Sequence, residues 1–135
     1  MLTDAGPLIA LFDKGDDGHA TCLKILQSLP DQPLVTTWPC LTEAMYILDS
    51  VGGYRFQELL WRMRRKEQLI LLDIDRAEAD RMDTLMEKYR DVPMDMADAS
   101  LVAVAENRGV RTLFTLDSDF YIYRLADGSA LEVLR

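Results

Sequence analysis

The chain has 135 residues, 49% of them hydrophobic, enough for one domain with a buried core and too few for a second of ordinary size. Disorder, low complexity and a disulfide-stapled mini-fold are excluded, since Cys22 and Cys40 are the only cysteines. Fifteen Lys and Arg against 23 Asp and Glu leave a formal net charge of −8, which argues against bulk attraction to nucleic acid because phosphate contacts are made mainly by Lys and Arg.

In chain order, Leu2 to Asp4 reads as a clipped first strand and PLIALFD as a short helix entered through Pro7. His19, in the polar segment GDDGHAT, marks a helix entrance as a solvated or capping residue. Ala20 to Leu29 carries Cys22, Leu23, Ile25, Leu26 and Leu29 at helical spacing, and a strand follows at Leu34 to Thr36. Pro39 opens a helix through Leu48. Tyr54 to Lys66 makes another, with Phe56, Leu59, Leu60 and Met63 on one face, and Leu69 to Leu72 is a third strand.

Asp75 to Tyr89 is a charged helix whose inward stripe is Ala79, Met82, Leu85 and Met86, and Pro93 closes the link beyond it. Asp95 to Asn107 is apolar nearly all round through Met96, Ala97, Leu101, Val102, Val104 and Ala105, so it is expected to be the most buried helix, with Gly109 as its left-handed terminator. Arg111 to Thr115 and Ala130 to Leu134 read as the fourth and fifth strands. Strands alternating with helices imply an α/β domain over residues 1–135, with a central, mostly parallel five-stranded sheet covered on both faces.

No stretch is apolar and long enough to span a bilayer, and no basic region precedes the short apolar run at the N-terminus, so a cytoplasmic chain is expected. Cys22 and Cys40 lie in apolar surroundings and read as small hydrophobes. His19 is the only histidine, which leaves too few ligands for a zinc site of His and Cys. The nucleophile elbow G-x-S-x-G and both glycine-rich phosphate loops are absent. What remains for chemistry is carboxylates.

In open parallel sheets the ligand site lies beyond the C-terminal ends of the strands, where strand order reverses. Asp4 ends the first strand, and Asp117 and Asp119 follow the fourth. If strands one and four are neighbours, these acids face one another. Glu43 is the only charged residue between Asp31 and Asp49, and a buried carboxylate is costly unless paired or bound to a cation. The plain alternative is a Glu on the one wet edge of an apolar helix. Asp95 and Asp98 form the D-x-x-D of a helix start, so Asp95 is assigned to the cap and Asp98 is kept as a candidate ligand. Four converging carboxylates repel one another unless a hard divalent cation joins them, and an oxygen-only site favours Mg²⁺ or Mn²⁺ over zinc. Such a site typically hydrolyses phosphodiesters.

Four blocks in order, TDAGPLIALFD, LTEAMYIL, DMADASLVAVAENRG and TLFTLDSDF, resemble those of the PIN-domain family, in particular the VapC-like toxin ribonucleases of type II toxin–antitoxin systems. The resemblance spans nearly the whole chain. It implies a three-layer α/β/α fold and a metal-dependent endoribonuclease whose acids fall on Asp4, Glu43, Asp98 and Asp117. Asp4 and Asp98 would be direct metal ligands, Asp117 would complete the site or orient a second ion or water, and Glu43 would position or deprotonate the attacking water. Asp119 matches a position acidic in many members, and Thr115 a hydroxyl position beside the site. Two departures stand out: Ala5-Gly6 replaces the hydroxyl or amide residue that follows the first Asp in many members, and the first strand is cut short.

The family commonly dimerises and is inhibited by an antitoxin whose tail fills the acidic groove, often with a basic side chain. For the RNA substrate, the Tyr54 to Lys66 helix offers Arg55, Arg62 and Arg65 with Trp61 to one side, either as a solvated basic face or as a stacking platform or protein anchor. A response-regulator receiver would need a Lys near the last strand, whereas the last lysine is Lys88; a haloacid-dehalogenase-like phosphatase would need D-x-D-x-T on the first strand. The remaining alternative is a catalytically silent PIN domain serving as an RNA- or protein-binding scaffold.

Overall fold

Two residues, Leu2 and Thr3, form β1, the central strand of a five-stranded sheet. The computed structural model describes residues 1–134; Arg135, the last residue of the expected domain, lies outside the described residues. After β1 come α1 (Ala5–Phe12), α2 (His19–Ser28), β2 (Leu34–Thr37), α3 (Trp38–Gly52), α4 (Tyr54–Arg65) and β3 (Leu69–Leu72). The chain continues through α5 (Arg76–Lys88), α6 (Met96–Arg108), β4 (Thr112–Phe114), a short 3-10 turn (Ser118–Tyr121) and β5 (Glu132–Leu134).

The strand order is β3-β2-β1-β4-β5 and every pairing is parallel, with Leu2 opposite Val35 on one side and Leu113 on the other. Side chains of successive strand residues point to opposite faces. Leu113 and Phe114 are both fully buried, and they sit in separate apolar clusters, so both faces are covered. The sheet, the helices on it and the α/β class are therefore as expected.

Local departures have local causes. Asp4 is not the last residue of β1 but the N-cap of α1, its Oδ1 accepting the Ala5 N–H at 2.7 Å. The helix thus begins two residues before Pro7, whose missing N–H falls among the first-turn donors that no helix satisfies. α3 runs four residues beyond Leu48, to Gly52, where a Cβ would collide with the Phe56 ring, so glycine lets α4 fold back closely. In α5 the buried position belongs to Glu78, while Ala79 is exposed. The stripe is displaced because Arg108 of α6 reaches over to pair with Glu78 at 3.0 Å.

α6 behaves as the composition demands: every residue from Ala97 to Ala105 is buried, and the helix ends at Gly109 with φ 71°, where an L side chain would be strained. Met96 is the exception, 57% exposed at the first helical position rather than part of the apolar surround. α6 packs on α3 and α5, and α3 packs on α1, which brings the starts of α1, α3 and α6 near the same end of the sheet. Among the described residues no helix is long and apolar enough to cross a membrane.

Candidate active site

The β1 crossover leads to β2 on one side while β4 lies on the other, so the order reverses between β1 and β4. The Asp4 N–H still bonds the Phe114 carbonyl at 2.9 Å, and the chain then turns away into α1. Beyond this point opens a cleft of about 610 Å³ lined by Asp4, Glu43, Asp98 and Asp117. The four acids named from the sequence therefore share one cavity, and among the described residues neither Lys nor Arg lines it.

Each carboxylate is held by its own element. Asp4 Oδ2 accepts the Thr115 hydroxyl at 2.7 Å, and the same hydroxyl accepts the Asp117 N–H at 3.0 Å. Asp117 caps the 3-10 turn by accepting the Asp119 N–H at 2.9 Å. Asp98 sits in the first turn of α6, and its Oδ2 accepts the Tyr123 hydroxyl at 3.0 Å. Glu43 projects from α3. The Thr37 and Ser100 hydroxyls, 2.7 Å apart and buried, pin the start of α3 to α6, the helices that carry Glu43 and Asp98.

The electrostatics are those of an acidic cleft without a counter-charge. Burial raises the Asp4 carboxyl above its usual range, partly opposed by the bonds from Thr115 and Ala5 and reinforced by Asp117 and Asp95. Asp98 is pushed up to about 8 by burial, then by the charges of Asp95 and Asp4, with the Tyr123 bond pulling the other way. Glu43 is exposed as a residue, yet loss of solvent at the cleft wall, followed by Asp95, Asp4 and Asp117, pushes its carboxyl up to about 7. A carboxyl near 7 can exchange a proton at neutral pH, which is what general acid–base chemistry requires.

The donor set is all oxygen and carries excess negative charge, the chemistry that suits a hard divalent cation. Among the described residues no three Asp, Glu, His or Cys side chains are grouped tightly enough to enclose an ion as they stand. The acids form an open rim rather than a cage. That matches Mg²⁺, which binds through one or two carboxylates and keeps several waters.

The remaining sequence candidates fall as follows. Asp95 is the α6 cap, accepting the Asp98 N–H at 2.8 Å, and it also lines the cleft. Asp119 does not line it. His19 is neither a cap nor free in solvent: Gly18 holds the cap position, and His19 Nδ1 lies 2.5 Å from the Ala10 carbonyl, tying α2 to α1. Cys22 and Cys40 are buried free thiols, and burial beside Asp4 pushes Cys40 up to about 12. Trp61 is not outward among arginines. It is half-buried against the main core, while Arg55, Arg62 and Arg65 are exposed.

Three contributors escaped sequence reasoning. Asp16 and Asp17, from the α1–α2 loop, add to the cleft; the paired acids of GDDG were the available signal, and the segment was read only as a helix entrance. Tyr123 left no signal, because its role depends on a contact with Asp98 across 25 residues.

The pattern of the PIN domain matches residues 1–126. The chain is similar to Ribonuclease VapC26 of Mycobacterium tuberculosis, 26% identical over 117 residues that cover 87% of this chain and 86% of that protein. Among solved structures it resembles Mycobacterium tuberculosis VapC20, a sarcin–ricin loop cleaving toxin, with a TM-score of 0.81 at 19% identity over 90% of this chain and 92% of that one. A chain of a toxin–antitoxin complex from Klebsiella pneumoniae superposes with a TM-score of 0.66 at 22% identity, covering 99% and 95%. Sequence pattern, strand order and the acids gathered between β1 and β4 agree, and the chain belongs to the PIN-domain family.

Proposed function

We propose that this PIN domain is a Mg²⁺- or Mn²⁺-dependent endoribonuclease and the toxin of a toxin–antitoxin pair. The observation that carries the reading is the convergence of Asp4, Glu43, Asp98 and Asp117 on one cleft that, among the described residues, no Lys or Arg lines. The similarity to Ribonuclease VapC26 supports RNA as substrate.

In this reading Asp4 and Asp98 hold the ion, and Asp117 completes the site. A bound divalent ion supplies Lewis-acid neutralisation of charge on the phosphodiester and its leaving oxygen. Glu43, on the cleft wall, would accept a proton from the attacking water. Thr115 and Tyr123 hold the ligand carboxylates in place. The exposed Arg55 and Arg62 of α4 offer phosphate contacts outside the acidic cleft, while Arg65 pairs with Glu58.

The same charge pattern suits an inhibitor with a basic side chain inserted into the cleft. The toxin–antitoxin complex among the structural neighbours supports an antitoxin partner, and a homodimer and a cytoplasmic location complete the proposal. The second reading is a silent scaffold, which would keep the acidic cleft without hydrolysing RNA.

One experiment separates them. Purified protein with Mn²⁺ is expected to cut a mixed RNA pool, and Asp4→Asn and Asp98→Asn to abolish cleavage while circular dichroism shows the fold retained. Equal cleavage by wild type and both variants would remove the nuclease reading.

A further inference from the structure

Tyr123 stands outside the acids of the cleft, yet its hydroxyl makes a buried bond to one of them. The residue follows the 3-10 turn that Asp117 caps, and its backbone N–H bonds the Asp119 carbonyl at 3.3 Å. Its ring is clamped on two sides: Phe120 meets it edge-on with centroids 5.2 Å apart at 87°, and Tyr89 at 5.1 Å and 64°. The Tyr89 hydroxyl in turn accepts the Arg124 N–H at 2.9 Å, which fixes the backbone just after Tyr123. Tyr123 is 2% exposed and Phe120 1%. A ring so enclosed has little freedom to rotate, so the position of its hydroxyl is set by packing.

That hydroxyl donates to Asp98 Oδ2 at 3.0 Å. The bond occupies one oxygen of the carboxylate and fixes its plane, leaving the other oxygen as the free donor. It also ties α6, which carries Asp98, to the segment that follows the Asp117 turn. The tie between Asp4 and Asp117 through Thr115 is a different one, so each of the cleft's two buried carboxylates, Asp4 and Asp98, has its own hydroxyl donor.

We propose that Tyr123 is a positioning residue that orients the Asp98 carboxylate for divalent-cation binding and holds it in register with the Asp117 turn. The proposal rests on the reading of Asp98 as a metal ligand. Partners that orient a ligating carboxylate typically govern affinity by ten- to a hundredfold, roughly, when removed.

The test compares Tyr123→Phe, which keeps the ring and deletes the hydroxyl, with Phe120→Leu, which loosens the clamp and keeps the hydroxyl. Each is titrated with Mn²⁺ alone by calorimetry, melted in EDTA, and assayed for the Mn²⁺ concentration that gives half-maximal RNA cleavage. Tyr123→Phe is expected to weaken Mn²⁺ binding about tenfold and to raise the half-saturating Mn²⁺ by the same factor, with a melting temperature close to wild type. Phe120→Leu is expected to melt earlier with a smaller change in Mn²⁺ affinity. Unchanged Mn²⁺ affinity in Tyr123→Phe overturns the proposal, and so does a loss of affinity that merely follows the loss of melting temperature across both variants. Failure of the underlying reading looks different: Asp98→Asn would then bind Mn²⁺ as tightly as wild type, which overturns both.

Discussion

The Thr115 hydroxyl donates to Asp4 Oδ2 at 2.7 Å across 111 residues of sequence, and both groups are buried. Because the same oxygen accepts the Asp117 N–H, one side chain sets the spacing of two acids. Thr115→Val keeps the shape of the site and orphans both partners. It is expected to cost about 1–3 kcal/mol in urea unfolding, the range for a buried polar group left unpaired, and to weaken Mn²⁺ binding. Thr115→Ser retains the hydroxyl and is expected to stay near wild type. Indistinguishable Val and Ser variants in both measurements would remove the tie.

The raised carboxyls predict an unusual pH response of the metal-free protein. Free Asp and Glu side chains titrate near roughly 4, whereas Asp98 does so at about 8 and Glu43 at about 7 in the fold. Between those values the native state binds more protons than the unfolded one, so stability falls as pH rises from about 4 and the loss is complete above about 8. In EDTA the melting temperature is expected to drop between pH 5 and pH 8. Asp98→Asn should flatten that slope, and added Mg²⁺ should restore stability at pH 8 by binding only the native state. Thermal melts without a pH-dependent decline would contradict the picture.

Asp95 couples helix capping to the charge of the cleft. Its side chain accepts the Asp98 N–H, and its charge acts more strongly on Asp98 and Glu43 than that of any other acid of the cleft. Asp95→Ser keeps a capping oxygen and removes the charge. Both carboxyls are expected to titrate lower, moving the acid limb of the pH–cleavage profile to lower pH with little loss of stability. Asp95→Ala should show the same shift and lose about 1 kcal/mol more through the missing cap. An unmoved limb in the serine variant would show that the field of Asp95 does not reach them.

Glu78 provides a contrast remote from the chemistry. Its side chain is fully buried, with bonds from Arg108 at 3.0 Å, Asn107 at 3.2 Å and the Asp75 N–H at 3.0 Å, and these pull its carboxyl down to about 2. This contribution is fully present above roughly pH 4 and fades as pH falls through about 2. Arg108→Ala strands the buried carboxylate and is expected to cost about 3 kcal/mol by urea unfolding. Mn²⁺ affinity should be unchanged; a cost under half of that would mean water replaces the guanidinium.

Most of the fold was legible because the residues that position the site are also the ones with strong local signals. Asp95 and Gly109 bracket α6 as capping chemistry requires, and β3 is the apolar run Leu69–Leu72. What sequence could not carry are contacts between distant segments. Glu78 displaced Ala79 because Arg108 stands opposite, and Trp61 turned inward because α4 packs along α3 and β3. The candidate acids were legible as types at strand ends and helix starts. Their hydroxyl partner Tyr123 was not, since nothing in YIYRL marks which tyrosine faces inward.

The central position of β1 also bears on synthesis. Its two residues are made before either neighbour, yet they are flanked by β2 and by β4, whose last residue is Phe114. Asp4 therefore cannot meet Thr115 or Asp117 until synthesis has passed Asp117, and such long-range pairing is the slow part of folding. A nascent chain that has not yet reached Asp117 has no assembled cleft, so under the proposed function it is inert towards RNA at that stage.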